Sequence, residues 1–228
     1  MRATAEWAAD NLARIFVITG AIALIVIAFA KNSATNVIAS TTEFWKINQS
    51  SQMTKGNANA KVAFVQYSDF LCPSCSYVST QIVPHIEQEY ITNGAVQFEF
   101  RPMAFIAEGS VIAGTGAYCA VDQGKFWQYH DAIYAYVADK IFNKNMDPKR
   151  DTILTAQTVK SIAGSAGLGQ NEFDSCLDSN KHLTDIQQST TRANKNGVTG
   201  TPYLLINGTP LTNNPNLDTV RAMIKAAL

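Results

Sequence analysis

The spacing of apolar and polar residues changes several times along this chain, and each change marks an element. Residues 62–67 (Val-Ala-Phe-Val-Gln-Tyr) form a short apolar run. A run of that length with β-branched and aromatic members predicts a buried strand over about 61–67. A helical stretch follows over about 73–90, stopped near Asn93-Gly94, and residues 96–100 then alternate as a half-buried strand does. From about Glu108 to Asn196 the period is helical throughout, with starts at Asp147-Pro148 and Thr155 and a break at Gly167-Leu168-Gly169, which predicts four or five short helices. Residues 203–206 read as a strand, Asn207-Gly208 as a hairpin turn and 209–211 as the return strand. An amphipathic helix over 216–228 closes the chain.

The N-terminal part follows a different pattern. Residues 15–30 carry no charge and are bracketed by Arg14 and Lys31. A full span takes about 17–25 apolar residues and a secretory core about 7–15, so this segment falls between them. We read residues 1–31 as a retained single-span anchor, extended by snorkelling of Arg14 and Lys31. The alternative is a cleaved signal, for which Ala28-Phe29-Ala30 supplies a processing site; against it stand Glu6 and Asp10 in a long leading stretch. Either way the remainder is exported to the extracytoplasmic face. Residues 32–55 turn polar around a small apolar island at Phe44-Trp45-Lys46-Ile47 and read as a tether. Residues 56–228 then form one domain, and 46% hydrophobic content in 228 residues suffices for one substantial core. Eighteen basic and eighteen acidic residues cancel, which leaves no electrostatic footprint for nucleic acid.

The chemistry lies at Cys72-Pro73-Ser74-Cys75, directly after the first strand and at the start of the first helix. Two thiols within one turn can close a small, reducible ring. Unpaired N–H groups at the helix start favour a thiolate on the first sulfur, and Pro73 suits the first helical position because its missing N–H has no partner there. Cys72 is therefore the expected exposed, attacking sulfur and Cys75 the shielded, resolving one. The same spacing supplies half of many zinc sites, but Cys119 and Cys176 stand apart, with no neighbouring ligand in a C-x-x-C or H-x-x-x-H pattern. No metal or cofactor is expected. A second feature is Thr199-Gly200-Thr201-Pro202 ahead of the strand at 203–206. Read alone, Pro202 is either a trans proline ending a loop or a cis proline at a strand's first residue.

Taken in order, Gly56-Asn57-Ala58-Asn59-Ala60-Lys61, Tyr67-Ser68-Asp69-Phe70-Leu71-Cys72-Pro73-Ser74-Cys75, Phe98-Glu99-Phe100-Arg101, Gly124-Lys125-Phe126-Trp127-Gln128-Tyr129-His130 and Gly197-Val198-Thr199-Gly200-Thr201-Pro202 resemble the DsbA-like thioredoxin-fold family. The resemblance covers the chain from Gly56 onward. It implies an α/β thioredoxin fold with a helical insertion at about 108–196, preceded by the N-terminal anchor or signal segment. It also implies a cis Thr201-Pro202 bond against the sulfurs, and thiol–disulfide chemistry, with a disulfide oxidase as the leading reading. The expected partners are reduced exported polypeptides as substrates and a membrane quinone-linked thiol oxidase as reoxidant.

Ser74 stands where the most oxidising relatives carry histidine, so a milder oxidant is expected. Gln66 stands where many relatives carry a glutamate, and Asp69 and Thr201 match the family beside the sulfurs. Relatives often carry cysteines at the positions of Cys119 and Cys176, so the resemblance implies a structural disulfide there, two buried free thiols being the alternative. A reductase or isomerase of the same fold, or a binding or chaperone module with an inert Cys72–Cys75 disulfide, remain as rival readings. The histidines His85, His130 and His182 share no spacing and read as surface or packing residues. Phe126, Trp127, Tyr129, Tyr134 and Tyr136 read as core rather than a peptide groove.

Overall fold

The computed structural model describes residues 44–149, 152–211 and 215–228. The expected anchor or signal segment at 1–31 and the first part of the tether lie outside them. Among the described residues no helix is long and apolar enough to cross a membrane. Everything below concerns the unit Trp45–Leu228.

Five strands form one mixed sheet: β1 (Thr54–Lys55), β2 (Val62–Asp69), β3 (Val96–Met103), β4 (Tyr203–Ile206) and β5 (Thr209–Leu211), in the order β1-β3-β2-β4-β5. β2 and β3 run parallel from Val62↔Val96 to Asp69↔Met103, while β4 lies antiparallel to β2 and β5 antiparallel to β4. A parallel pair needs a crossover, and the helical stretch α1, residues 73–91, supplies it. β2 runs two residues beyond the expected strand, because its partner continues through Pro102 and Met103 and the pairing overrides the polar character of Ser68 and Asp69.

α1 is not uniform. Two α-helical pieces, Pro73–Tyr77 and Val83–Ile86, alternate with wider π turns at Val78–Ile82 and Glu87–Ile91. The first π turn has a local cause. Pro84 has no N–H and would press on the carbonyl four residues back, and the chain opens so that the Val83 N–H bonds the Val78 carbonyl instead. Between β3 and β4 lie α2 (Glu108–Asp122), α3 (Phe126–Ala138, closed by the π turn Asp139–Asn143), α4 (Ala156–Ser165), α5 (Gln170–Asp178) and α6 (Leu183–Lys195); α7 (Leu217–Ala227) ends the chain. Thr155 and Asn216 cap α4 and α7 through their side chains. Asp147-Pro148, expected to start a helix, does not. The Asp147 carboxylate accepts the Lys149 N–H in a local turn instead.

The tether also ends earlier than its composition suggests. Residues 45–55 pack on the domain: Met53 is buried, Trp127 donates to the Thr54 carbonyl, the Asn48 N–H bonds Glu99, and Gln49 and Gln97 exchange amide hydrogen bonds. Apart from Met53, these contacts use backbone groups and polar side chains, which an apolar pattern could not reveal. At the other edge, Asn207 and Gly208 both have positive φ (47° and 82°), as the two-residue β4–β5 turn requires. A Cβ on Gly208 would also strike the Trp45 ring.

Phe126, Tyr129 and Tyr134 of α3 are fully buried against Phe70 and Phe100, so these three are core, while Trp127 and Tyr136 are only partly buried against it. Cys119 of α2 and Cys176 of α5 are joined in a disulfide with a sequence separation of 57. Closing a loop of that length restricts the unfolded chain by about 4 kcal/mol. Replacing both cysteines by alanine is therefore expected to lower the urea-unfolding free energy by about that amount. A loss under about 1 kcal/mol would show that the bridge merely decorates helices already held by packing.

Candidate active site

β2 delivers the chain to the site. The Cys72 N–H bonds the Asp69 carbonyl in a turn, and Cys72 itself is extended (φ −73°, ψ 122°) as the N-cap of α1, with Pro73 at the first helical position. The Cys72 Sγ accepts the Cys75 backbone N–H at 3.4 Å, and its thiol faces the Thr201 carbonyl at 3.3 Å. Both cysteines are free thiols here. Cys72, expected to be exposed, is only 6% accessible, and Cys75 is wholly buried. The correction has a simple cause: the loop ahead of β4 lies across the pair, so the helix N-terminus does not open directly to water.

The two sulfurs differ in acidity. Cys72 is lowered from the ordinary thiol value to about 7, first by the hydrogen bond from the Cys75 thiol, then by Thr201 and the Cys75 N–H, against opposing burial and the Asp69 charge. Cys75 is pushed well above the ordinary value, by burial first and then by its neighbour Cys72. A thiolate one turn inside the helix has lost the N–H groups that support one at the cap.

Asp69 acts as a clasp. Its buried carboxylate accepts the Leu71 N–H (2.9 Å) and the Ser110 hydroxyl (2.7 Å) on one oxygen, and the Phe105 and Ile106 N–H groups (3.0 and 3.3 Å) on the other. The cysteine turn, the segment after β3 and the first turn of α2 are thereby fixed to one another. Burial raises the Asp69 pKa against these bonds, so the clasp works by geometry more than by charge. The Thr201-Pro202 bond is cis. Pro73 occupies the helix start, whereas Ser74 points outward and touches neither sulfur among the described contacts.

Gln66 is buried and donates to Ser68 (3.1 Å) and Ser79 (3.2 Å); its carbonyl oxygen has no partner. Ser68 in turn bonds the Tyr134 hydroxyl at 2.8 Å, and Ser68 also lies close enough to Cys75 to oppose the rise in its pKa. Sequence reasoning did not single out Ser68 or Ser79 as site residues, and it placed Tyr134 in the core only. The available signal was Gln66 and Ser68 as polar residues two apart on one face of an otherwise apolar strand.

The thioredoxin family profile matches residues 48–226. The chain belongs to the thioredoxin family. Relatives include "Probable disulfide bond formation protein D" of Bacillus anthracis, 28% identical, with 78% of this chain and 79% of that protein covered. "Disulfide bond formation protein D" of Bacillus subtilis is 23% identical, with 78% and 77% covered. Among solved structures, oxidised BdbD from Bacillus subtilis superposes with a TM-score of 0.67 at 22% identity, over 77% of this chain and 92% of that one. Wolbachia pipientis α-DsbA1 gives 0.65 at 19% identity, with 82% and 95% covered. The fold is thus the DsbA-like one, a thioredoxin fold with a helical insertion, and this thioredoxin-family chain is a protein thiol–disulfide oxidoreductase.

In the reduced protein, thiolate absorbance is expected to rise in one step centred near pH 7, with Cys75 silent until far higher pH. Gln66→Glu should add a second step and move the first to higher pH, because a buried carboxylate opposes a nearby thiolate. Superimposable curves for the two proteins would show that position 66 does not act on the sulfurs.

Proposed function

We propose that this oxidoreductase is an exported disulfide oxidase, held at the extracytoplasmic face by residues 1–31, that makes disulfides in secreted or envelope polypeptides through Cys72 and Cys75. A substrate thiolate attacks Cys72 Sγ of the 72–75 disulfide and expels Cys75, which takes up a proton. The substrate's second thiol then attacks its own sulfur in the mixed disulfide and expels the Cys72 thiolate. Two electrons have passed from the substrate to the cysteine pair, and a membrane quinone-linked thiol oxidase, in this reading, takes them onward.

The observation that supports the reading is the unequal placement of the sulfurs: Cys72 caps α1 and accepts the Cys75 N–H, whereas Cys75 is wholly buried, and their acidities differ accordingly. Cys72, near 7, is the better leaving group in the second step and the more stable product. Cys75, held protonated by burial, attacks the mixed disulfide slowly, so the intermediate is handed forward to the substrate's second thiol rather than back. The names of the Bacillus relatives point the same way. We assign Thr201 and Pro202 to positioning Cys72, Asp69 to holding the cysteine turn, and Pro73, Ser74 and Gln66 to supporting roles.

Equilibration with glutathione is expected to give a reduction potential between about −120 and −230 mV, less oxidising than DsbA and more so than thioredoxin. A value at or below about −270 mV would make the protein a reductase, and a pair that dithiols cannot open would make it an inert module. Cys75→Ser should accumulate mixed disulfides through Cys72, while Cys72→Ser abolishes oxidation of a reduced substrate. An adduct trapped on Cys75 instead would reverse the roles.

A further inference from the structure

The Cys119–Cys176 bridge has an unusual setting. Asp122 follows Cys119 by one helical turn on α2, and His182 lies just beyond the end of α5, which carries Cys176. The fold brings the carboxylate, the imidazole and the Cys176 sulfur together, with ligand atoms all within 4.8 Å of one another. Cys119 supplies a fourth atom by virtue of its bond to Cys176. The His182 Nε2 faces Asp122 at 2.8 Å, and its Nδ1 is held by Asp185 at 2.6 Å. The Tyr118 ring stacks on the imidazole at 5.9 Å. A carboxylate on the far nitrogen is how metal-binding histidines are oriented. The cluster borders a cleft of about 510 Å³ lined by both cysteines and Asp122, so an ion can enter.

We infer that the insertion carries a latent zinc site, Cys119, Cys176, His182 and Asp122, that exists only while the bridge is reduced. A tetrahedral zinc centre sets its N, O and S ligands about 3.3–3.8 Å apart, so separations as wide as 4.8 Å must close by about 1 Å, while the two sulfurs, 2.05 Å apart in the bridge, and the His182–Asp122 pair, 2.8 Å apart, must open. Lys181, which bonds Asp122 at 2.7 Å, is exposed and can swing away. The electron balance is closed by an external dithiol: it reduces the bridge to two thiols and becomes a disulfide itself. Zinc then displaces the two thiol protons, and any proton on His182 Nε2, to bind two thiolates, one imidazole and one carboxylate. Oxidation of the two sulfurs by a disulfide runs the sequence backwards and releases the metal. Zinc and the disulfide thus compete for the same sulfurs, and a chain that has not yet been oxidised is the form that holds the ion. The ligands escape a motif search because the two cysteines are 57 residues apart and each has only one further ligand nearby.

The test uses the full chain with Cys72→Ser and Cys75→Ser in every arm, so that the other cysteine pair cannot bind metal. Zinc is titrated against a chromophoric chelator before and after reduction with a phosphine. The expected result is one zinc per reduced chain, at least 100-fold weaker binding by the oxidised chain, and tenfold or greater weakening by His182→Ala and by Asp185→Asn. Cobalt in place of zinc should give thiolate-to-metal absorption with tetrahedral visible bands. Equal binding by both redox forms, or undiminished binding by His182→Ala, would overturn the site. If reduction alone unfolds the chain, zinc should restore its circular dichroism and melting transition, and should fail to do so in His182→Ala. Restoration in both, or in neither, would also overturn it.

Discussion

A thiolate at the cap of a helix is supported by N–H groups that a thiolate one turn further in cannot reach, and the chemistry of this protein depends on that inequality. Cys72 takes the Cys75 N–H and the hydrogen bond of the Cys75 thiol, while Cys75 lies wholly buried with neither available to it. Burial penalises both charges but falls hardest on Cys75, where it is the largest cause of the raised pKa, while at Cys72 the hydrogen bonds outweigh it. Hydrogen bonds at Cys72 and burial at Cys75 together decide which sulfur ionises, and the ionising sulfur is the less deeply buried of the two.

Holding that geometry is the task of the rest of the fold. β2 and β3 in parallel register bring the cysteine turn beside the segment after Met103, and the Asp69 carboxylate closes the gap with four hydrogen bonds to three pieces of chain. Removing the carboxylate would strand the buried Leu71 N–H and Ser110 hydroxyl, each at a cost of about 1–3 kcal/mol, and release the part-buried Phe105 and Ile106 N–H groups. From the other side, the segment between α6 and β4 carries Thr201 to Cys72. Gly197, at φ 80°, ends α6, and the fully buried Val198 anchors the loop that follows. The helical insertion packs its aromatic face on Phe70, next to the cysteine turn, so the insertion stiffens the site as well as covering the sheet.

Much of this was legible in the residues. The apolar run before Cys72, the helical period over the insertion and the Asn207-Gly208 turn each reflect local patterning, and the corresponding elements lie close to their expected places. What patterning could not give is what depends on long-range contact. The burial of Cys72 arises from a loop 129 residues away, and the Asp69 clasp joins segments up to 41 residues apart. The polar cluster of Gln66, Ser68, Ser79 and Tyr134 draws on β2, α1 and α3. Residues 45–55 escaped for a different reason: apart from Met53, their attachment runs through backbone groups and polar side chains, which composition reads as solvent-facing.

The central claim is that folding lowers the pKa of Cys72 and not that of Cys75, and proton linkage tests it directly. A thiol whose folded pKa is depressed from about 9 to about 7 stabilises the reduced protein fully above pH 9 and loses that contribution as the pH falls through 7. Urea unfolding of the reduced and oxidised 72–75 forms, with the Cys119–Cys176 bridge intact in both, should be followed from pH 6 to pH 8. The reduced form is predicted to gain about 1 kcal/mol relative to the oxidised form across that range. A difference that stays flat, or that shrinks as the pH rises, would contradict the account.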